Sequence, residues 1–321
     1  MDQQLKTLRV GLTAILLALI FRLWEQDIPA RLAQRLAQPH IQTFLTEQET
    51  GRNVRFSPSF GIFSPDFMES PPPFIPETPL PAFSDASVVD VYYAADKNPD
   101  MDALLAKPLV WDLYAEEPTV LILHTHATES YTRRGEAYKE TSPWRTLDES
   151  YNMLSIGAHL ASLLEAQGIS ILQDREFHDY PSYNGSYIHA RNSLESYLED
   201  YPSIQLVLDL HRDASEGENG QLRTIAKVNG APSAQLMLVL GTNHERYEDN
   251  LSLALKLHAQ LETLHPGIMR PLQLRSQRFN QDLSPGALLV EVGAAGNSHS
   301  EALQAAEALA QAITALAKGT Q

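Results

Sequence analysis

Apolar runs of strand type alternate with segments of helical periodicity from residue 119 to the C-terminal region. The apolar runs occupy residues 119–123, 169–172, 205–210, 235–240 and 287–292. The helical segments between and after them occupy residues 149–167, 187–201, 250–264 and 300–316. Strands that are apolar on both faces and alternate with helices are typical of a mostly parallel sheet covered by helices. The sequence therefore predicts an α/β fold, a three-layer sandwich with a mostly parallel central sheet.

The charge balance and the absence of cysteine exclude two classes of site. The chain has 24 Lys and Arg against 40 Asp and Glu, a formal net charge of -16, whereas nucleic acid is bound by clustered basic residues. We therefore expect no nucleic-acid binding. Without cysteine there are no disulfides or thiolate metal sites, so any bound metal must be held by His, Asp or Glu.

The N-terminal region predicts an anchor followed by a spacer. Lys6 and Arg9 precede an apolar run at residues 10–21, a pattern that predicts an N-terminus inside the cell and an exported remainder. We interpret the run as an uncleaved transmembrane anchor, with a cleaved signal peptide as the alternative. A helical segment and a Pro-rich stretch follow. The predicted regions are a cytoplasmic tip and anchor at 1–24, a helical and Pro-rich linker at 25–118, and a folded domain at 119–321.

Three of the predicted strands end in residues that carry chemistry. "VLILHTHATES" (120–130) leads into His124, His126 and Glu129, "LDLHRD" (208–213) contains His211, and Glu291 interrupts the last apolar run. In such a sheet, ligands collect at the carboxyl ends of the strands. Hydrolytic zinc needs three protein ligands and an open position for water, and two His with one Glu is a known set. Because His126 and Glu129 are three apart, one turn can direct both to a single ion, and His211 would complete the set.

Glu291 is unusual because an ionised carboxylate inside an apolar strand is costly unless it has a partner. Beside an activated water, it would accept the proton during attack and pass it to a leaving amine. The alternative is a structural ion pair with Arg212 or Arg191.

Five segments together resemble the stage II sporulation protein P family. They are "LHTHATESY" (123–131), "FHDYPSYNGSY" (177–187), "LDLHRDAS" (208–215), "FNQDLSPGALLVEVG" (279–293) and "NSHSEA" (297–302), in the family's order. The resemblance covers residues 120–316 and implies a membrane-anchored peptidoglycan hydrolase of endospore-forming bacteria, with an amidase/carboxypeptidase-like catalytic domain. It implies Zn²⁺ on His126, Glu129 and His211, with Glu291 as acid and base.

The H-x-x-E spacing of the carboxypeptidase branch of the wider superfamily, carried over by the resemblance, selects His126 over His124 as the first ligand. Side chains alternate along a strand, which predicts that His124 and His126 share a face and leaves His124 as a rival ligand or a neighbour of the ligands. Candidate substrate-binding residues, each with a structural alternative, are Arg212, Arg275, Arg278, Tyr183 and Asn184.

The activity that the resemblance implies is cleavage of the amide between N-acetylmuramic acid and the L-alanine of the stem peptide, with an added endopeptidase activity. It implies action on peptidoglycan during sporulation engulfment, in the space between the mother-cell and forespore membranes. The implied partners are a glycan-cleaving protein and a membrane scaffold, with the N-terminal helix in the membrane. The alternatives are a zinc carboxypeptidase-like peptidase and a non-catalytic wall-binding scaffold.

Overall fold

The computed structural model describes residues 86–93, 95, 97–217 and 220–319. The predicted anchor at 1–24 and the spacer residues 25–85 lie outside these ranges. Within them, no helix has both the length and the apolar character needed to cross a membrane.

Every predicted apolar run of the folded domain forms a strand, and every predicted helical segment forms a helix. The helices are α1 (Met101–Ala106), α2 (Met153–Glu165), α3 (Ser186–Asp200), α4 (Tyr247–Leu264) and α5 (His299–Gly319). The strands are β1 (Val91–Tyr93), β2 (Val120–Leu123), β3 (Glu140–Ser142), β4 (Arg145–Thr146), β5 (Ile171–Gln173), β6 (Leu206–Asp213), β7 (Glu216–Gly217), β8 (Gly220–Gln221), β9 (Ala226–Val228), β10 (Ala231–Ser233), β11 (Leu236–Gly241), β12 (Leu272–Arg275) and β13 (Ala287–Ala294).

Seven strands form the central sheet, in the order β1-β12-β11-β13-β6-β2-β5. Neighbouring strands are parallel except at β11 and β13, which are antiparallel. The predicted mostly parallel α/β sheet is therefore confirmed. The antiparallel pair was not predicted, because apolar periodicity identifies a strand without indicating its direction.

The folded unit begins upstream of residue 119, where the sequence analysis places its start. β1 forms an edge of the sheet, with Val91 opposite Leu272 of β12. α1 packs on α4, where the side chains of Ser252 and Lys256 both donate to the carbonyl of Leu104, at 2.7 and 2.9 Å. This corrects the assignment of these residues to the linker. β1 has 3 residues and α1 has 6, too few for their periodicity to be recognised.

The two faces of the sheet are covered differently. α2, α4 and α5 pack on one face and form the main apolar core. α3 packs on the other face, through a smaller set of buried residues: Leu121, Leu123, Ala190, Leu194, Ile204, Val207 and Ala287. Because side chains alternate along β6, Asp209 and His211 lie on the α3 face together with Val207. The α3 face therefore carries the polar residues at the strand ends.

Candidate active site

Parallel pairing brings the carboxyl ends of β2, β6 and β13 together. Leu123 of β2 lies opposite Asp209, and Glu291 of β13 lies opposite His211. The turn after β2 closes with a hydrogen bond from the Glu129 amide to the His126 carbonyl, at 3.1 Å. This sheet edge therefore gathers residues that are far apart in the sequence.

The three predicted metal ligands meet at this edge. The ring centres of His126 and His211 are 5.1 Å apart, with the rings nearly perpendicular at 87°. Nδ1 of His211 lies 3.7 Å from Oε2 of Glu129. All three residues are buried, and Nδ1 of His126 has no hydrogen-bond partner within the described part of the chain.

Glu129 is held by two arginines. Its Oε1 accepts a hydrogen bond from Nη2 of Arg145 at 3.1 Å, and its Oε2 accepts one from the backbone amide of Arg212, also at 3.1 Å. Burial acts to raise the pKa of Glu129, but the positive charges of Arg212, His211 and Arg145 outweigh it and lower the pKa. The carboxylate is therefore ionised, as a metal ligand must be.

Asp209 is a site residue that the sequence analysis did not single out. Its carboxylate accepts hydrogen bonds from the amide and the hydroxyl of Thr125, at 2.9 and 2.7 Å. Its Oδ1 lies 3.1 Å from Nε2 of His211, within ion-pair distance. Burial acts to lower the pKa of His211, but the charges of Asp209 and Glu129 raise it to about 9. The signal was available, since Asp209 precedes His211 by two residues in a strand and so shares its face.

Glu291 has no charged partner of the kind that the structural alternative requires. Its Oε2 is buried and has no hydrogen-bond partner in the described residues, although the residue as a whole is partly exposed. Arg191 instead pairs with Asp282 at 3.0 Å and with Glu195 at 2.9 Å. Burial raises the pKa of Glu291 to about 8; the charge of His211 opposes this shift and that of Glu129 adds to it.

His124 lies on the other face of the sheet, which corrects the expectation that it shares a face with His126. Its Nε2 lies 2.9 Å from the side-chain nitrogen of Gln173. His124 packs against α2 at Gly157, where an added Cβ would lie 2.4 Å from Nε2 of His124. β2 ends at Leu123, and the turn that follows breaks the alternation. His124 is therefore not grouped with His126, Glu129 and His211.

Arg212 is buried and bonded to backbone carbonyls. Its Nε and Nη2 donate to the carbonyls of Ser130 and Trp144, each at 3.1 Å. These bonds tie the end of β6 to the segment after the turn, which is the structural alternative stated for this residue.

The other candidate substrate-binding residues do not all lie at the strand ends that carry His126 and His211. Tyr183 stacks on His126, with ring centres 4.6 Å apart, and is 55% exposed. Asn184 follows in the same exposed loop. Arg275 ends β12, which runs opposite to β13, and donates to Gln273 at 3.1 Å. Arg278 is exposed and lies 4.0 Å from Asp282.

Tyr187 closes the site on the α3 side. Its ring centre is 5.5 Å from that of His126, 6.3 Å from that of His211 and 5.9 Å from that of Phe279. Burial raises the pKa of Tyr187, so its hydroxyl stays protonated. In the sequence, Tyr187 is the last residue of the segment 177–187, one of the five on which the family resemblance rests.

The donors at this edge fit a divalent metal by type and by burial. Two His and one Glu form a hydrolytic zinc set, and the buried Nδ1 of His126, which has no partner in the part of the chain that the structure describes, leaves one donor free. In this conformation, however, no three His, Asp or Glu side chains of the described residues surround one point closely enough to form a ready metal site. Both oxygens of Glu129 accept hydrogen bonds from the two arginines. Zinc binding therefore remains a prediction.

Comparison with known proteins identifies the family. The family model for stage II sporulation protein P matches residues 83–314. The chain belongs to this family. The prediction made from the five sequence segments is thus confirmed. A curated member, stage II sporulation protein P of Bacillus subtilis (strain 168), is 28% identical over 210 residues, which is 62% of this chain and 51% of that protein. The chain thus spans about half the length of the curated relative that it matches.

The solved structures to which this chain is similar include two amidases. The CwlD amidase from Clostridioides difficile, in complex with the GerS lipoprotein, is 13% identical with a TM-score of 0.41; the match covers 63% of this chain and 99% of that one. The N-acetylmuramyl-L-alanine amidase Ami1 from Mycobacterium abscessus, in its apo form, is 16% identical with a TM-score of 0.39 and the same coverage, 63% and 99%.

Proposed function

We propose that this chain is a zinc-dependent peptidoglycan hydrolase that cleaves the amide between N-acetylmuramic acid and the L-alanine of the stem peptide. One observation carries the proposal: His126, Glu129 and His211 meet beside Glu291, whose buried Oε2 has no hydrogen-bond partner within the described ranges. The residue types at the site support a reaction in which a metal and a carboxylate activate water. The choice of bond comes from the family resemblance.

His126, Glu129 and His211 would hold the metal. When bound, zinc supplies a Lewis acid that polarises the scissile carbonyl and makes a water molecule more acidic. Glu291 accepts the proton of the attacking water and delivers it to the departing amine. The raised pKa of Glu291 supports this role, because the group can hold a proton between the two steps near neutral pH.

A zinc carboxypeptidase-like peptidase would use the same ligands but also needs an arginine to bind a terminal carboxylate. The two arginines nearest the candidate ligands are already engaged: Arg145 by Asp179 and Glu129, and Arg212 by Ser130 and Trp144. A non-catalytic scaffold would have no use for Glu291 at the strand ends, with a buried Oε2 that has no hydrogen-bond partner among the described residues. These contacts favour the amidase.

The wider role also comes from the resemblance. We propose an additional endopeptidase activity within the stem or the cross-link. We propose that the chain acts during engulfment, between the mother-cell and forespore membranes, beside a glycan-cleaving protein and a membrane scaffold. The apolar run at residues 10–21 would anchor it, and the Pro-rich spacer would set the distance of the hydrolase from the membrane.

Digestion of purified sacculi by the full chain tests the proposal. We expect mass spectrometry to find released stem peptides with a free L-alanine amino group, together with glycan strands that lack peptides. A chelator should stop the release, and added Zn²⁺ should restore it. Release from plain peptides but not from muropeptides would favour the carboxypeptidase. Binding to sacculi without any release would favour the scaffold.

A further inference from the structure

We propose that Arg145 is a positioning residue that holds two of the candidate metal ligands, Glu129 directly and His126 through Tyr183, in place for Zn²⁺. This inference rests on the proposed function, because it requires a metal at His126, Glu129 and His211.

Backbone pairing places Arg145 opposite Glu129. The two residues form an antiparallel bridge. The amide of Ser130 donates to the carbonyl of Trp144 at 2.9 Å, and the amide of Thr146 donates to the carbonyl of Thr128 at 2.8 Å. Side chains that lie directly opposite each other in an antiparallel pair are neighbours. The position of Arg145 is therefore set by the main chain on both sides of the contact.

The guanidinium of Arg145 divides its hydrogen bonds between Glu129 and an anchor. Nη2 donates to Oε1 of Glu129 at 3.1 Å, while Nη1 donates to Oδ2 of Asp179 at 2.6 Å and to the hydroxyl of Thr128 at 3.1 Å. Asp179 is buried and accepts hydrogen bonds from the amide and the hydroxyl of Thr128, at 3.3 and 2.6 Å. Because the guanidinium is planar and rigid, fixing one nitrogen fixes the direction of the other.

Arg145 also reaches His126 through an aromatic ring. Its Cζ lies 4.9 Å from the ring centre of Tyr183, a distance at which the cation is attracted to the ring. Tyr183 stacks on His126 at 4.6 Å with an angle of 15° between the planes. One side chain therefore contacts both the carboxylate and the ring that orients the imidazole.

This arrangement leaves one oxygen of Glu129 directed toward the other ligands. Oε1 accepts the hydrogen bond from Arg145, whereas Oε2 accepts one from the backbone amide of Arg212 and also lies 3.7 Å from Nδ1 of His211. Residues that orient metal ligands typically contribute about 10- to 100-fold to metal affinity or activity. We expect a contribution of this size from Arg145.

Zinc affinity of the full chain, measured by competition with a chromophoric chelator, tests the inference. We expect Arg145→Met to weaken Zn²⁺ binding by about 10- to 100-fold. The zinc affinity of Arg145→Lys should lie between those of the wild type and Arg145→Met, because an ammonium keeps the charge but cannot span Asp179 and Glu129. Adding Asp179→Asn to Arg145→Met should cause no further loss if Asp179 acts through Arg145.

Arg133→Met is the matched control. Arg133 also pairs with a carboxylate, Glu140 at 3.6 Å, and also lies over a tyrosine ring, that of Tyr138 at 5.5 Å. It contacts none of the candidate ligands in the described part of the chain, so its removal should leave zinc affinity unchanged.

The possible outcomes separate the two proposals. If the wild-type chain does not bind Zn²⁺, the proposed function fails. If the wild type binds Zn²⁺ and Arg145→Met binds it equally well or more tightly, only the inference about Arg145 fails. Thermal unfolding shows whether each variant is folded. Should Arg145→Met not fold, unchanged affinity in both Arg145→Lys and Asp179→Asn would overturn the inference.

Discussion

Two regions of the candidate active site each carry a glutamate, and they shift its pKa in opposite directions. In the turn after β2, Glu129 accepts hydrogen bonds from Arg145 and from the amide of Arg212, and its pKa is lowered. In β13, Glu291 has a buried oxygen without a hydrogen-bond partner among the described residues, and burial raises its pKa to about 8. The same residue type is stabilised as an anion in one region and as a neutral acid in the other.

The neighbours of a carboxylate set its protonation state, and the protonation state decides which role it can take. A metal ligand has to be ionised, whereas a general acid and base has to exchange a proton near the working pH. The opposite pKa shifts of Glu129 and Glu291 fit this division of roles. Changing Glu129 should therefore reduce metal binding, whereas changing Glu291 should reduce turnover.

The largest effect is expected from Glu129→Gln. The amide keeps the shape of the side chain but supplies a much weaker metal ligand, so we expect zinc retention to be lost and hydrolysis to fall to background. Metal content and peptide release from sacculi check this. Glu149→Gln is the control, since Glu149 is half exposed and pairs with Arg175. A Glu129→Gln variant that keeps its zinc and its activity would remove Glu129 from the ligand set.

Glu291→Gln should separate chemistry from metal binding. We expect turnover to fall by about 10²- to 10⁴-fold, the usual contribution of a general acid and base, with zinc content unchanged. Steady-state kinetics and metal analysis of the same sample measure both quantities. Loss of zinc together with activity would instead place Glu291 among the ligands, and undiminished turnover would remove it from the mechanism.

A smaller effect is expected from Asp209→Asn. Asp209 lies 3.1 Å from Nε2 of His211, on the side of the ring away from Glu129. Carboxylates in this position orient a metal-binding histidine, and their loss costs about 10- to 100-fold in metal affinity or activity. Chelator competition measures the change. Equal affinities for the variant and the wild type would show that Asp209 only supports the fold through Thr125.

The smallest effect on activity is expected from Glu301→Gln, because Glu301 contributes to stability and not to the candidate active site. Glu301 accepts hydrogen bonds from Arg223 at 3.1 Å and from the Ser298 amide at 2.9 Å, and the Ser298 hydroxyl accepts one from the Glu301 amide, a capping box at the start of α5. Burial acts to raise the pKa of Glu301, but these hydrogen bonds hold it at about 2.

Because the folded-state pKa of Glu301 is lowered, its stabilisation is fully present above the unfolded value near pH 4.5 and is lost as the pH falls toward about 2. Glu301→Gln should lower the free energy of unfolding at neutral pH by about 1–3 kcal/mol and leave hydrolysis unchanged. Denaturant unfolding at several pH values checks this. The contradicting result is a wild type and a variant that lose stability in parallel between pH 4.5 and pH 2.

Strand and helix positions in the folded domain were predictable because long apolar runs and helical periodicity are local signals. The predicted ligands were predictable for the same reason, since His126, Glu129 and His211 follow or end such runs. β1, β12 and α1 were missed because they are short and none contains a long apolar run. The prediction for the face of His124 was wrong because alternation holds only within a strand, and β2 ends one residue earlier.

The sequence by itself determined the α/β class, the family and the strand ends that carry His126, His211 and Glu291. Only the tertiary structure decided which of these side chains meet and in what charge state. The register between β6 and β13 places His211 beside Glu291. The bridge between Glu129 and Arg145 places a guanidinium beside the carboxylate, which no local sequence pattern predicts. The reason is physical: periodicity reflects burial of one segment, whereas a carboxylate's pKa depends on charges brought near it from distant parts of the chain.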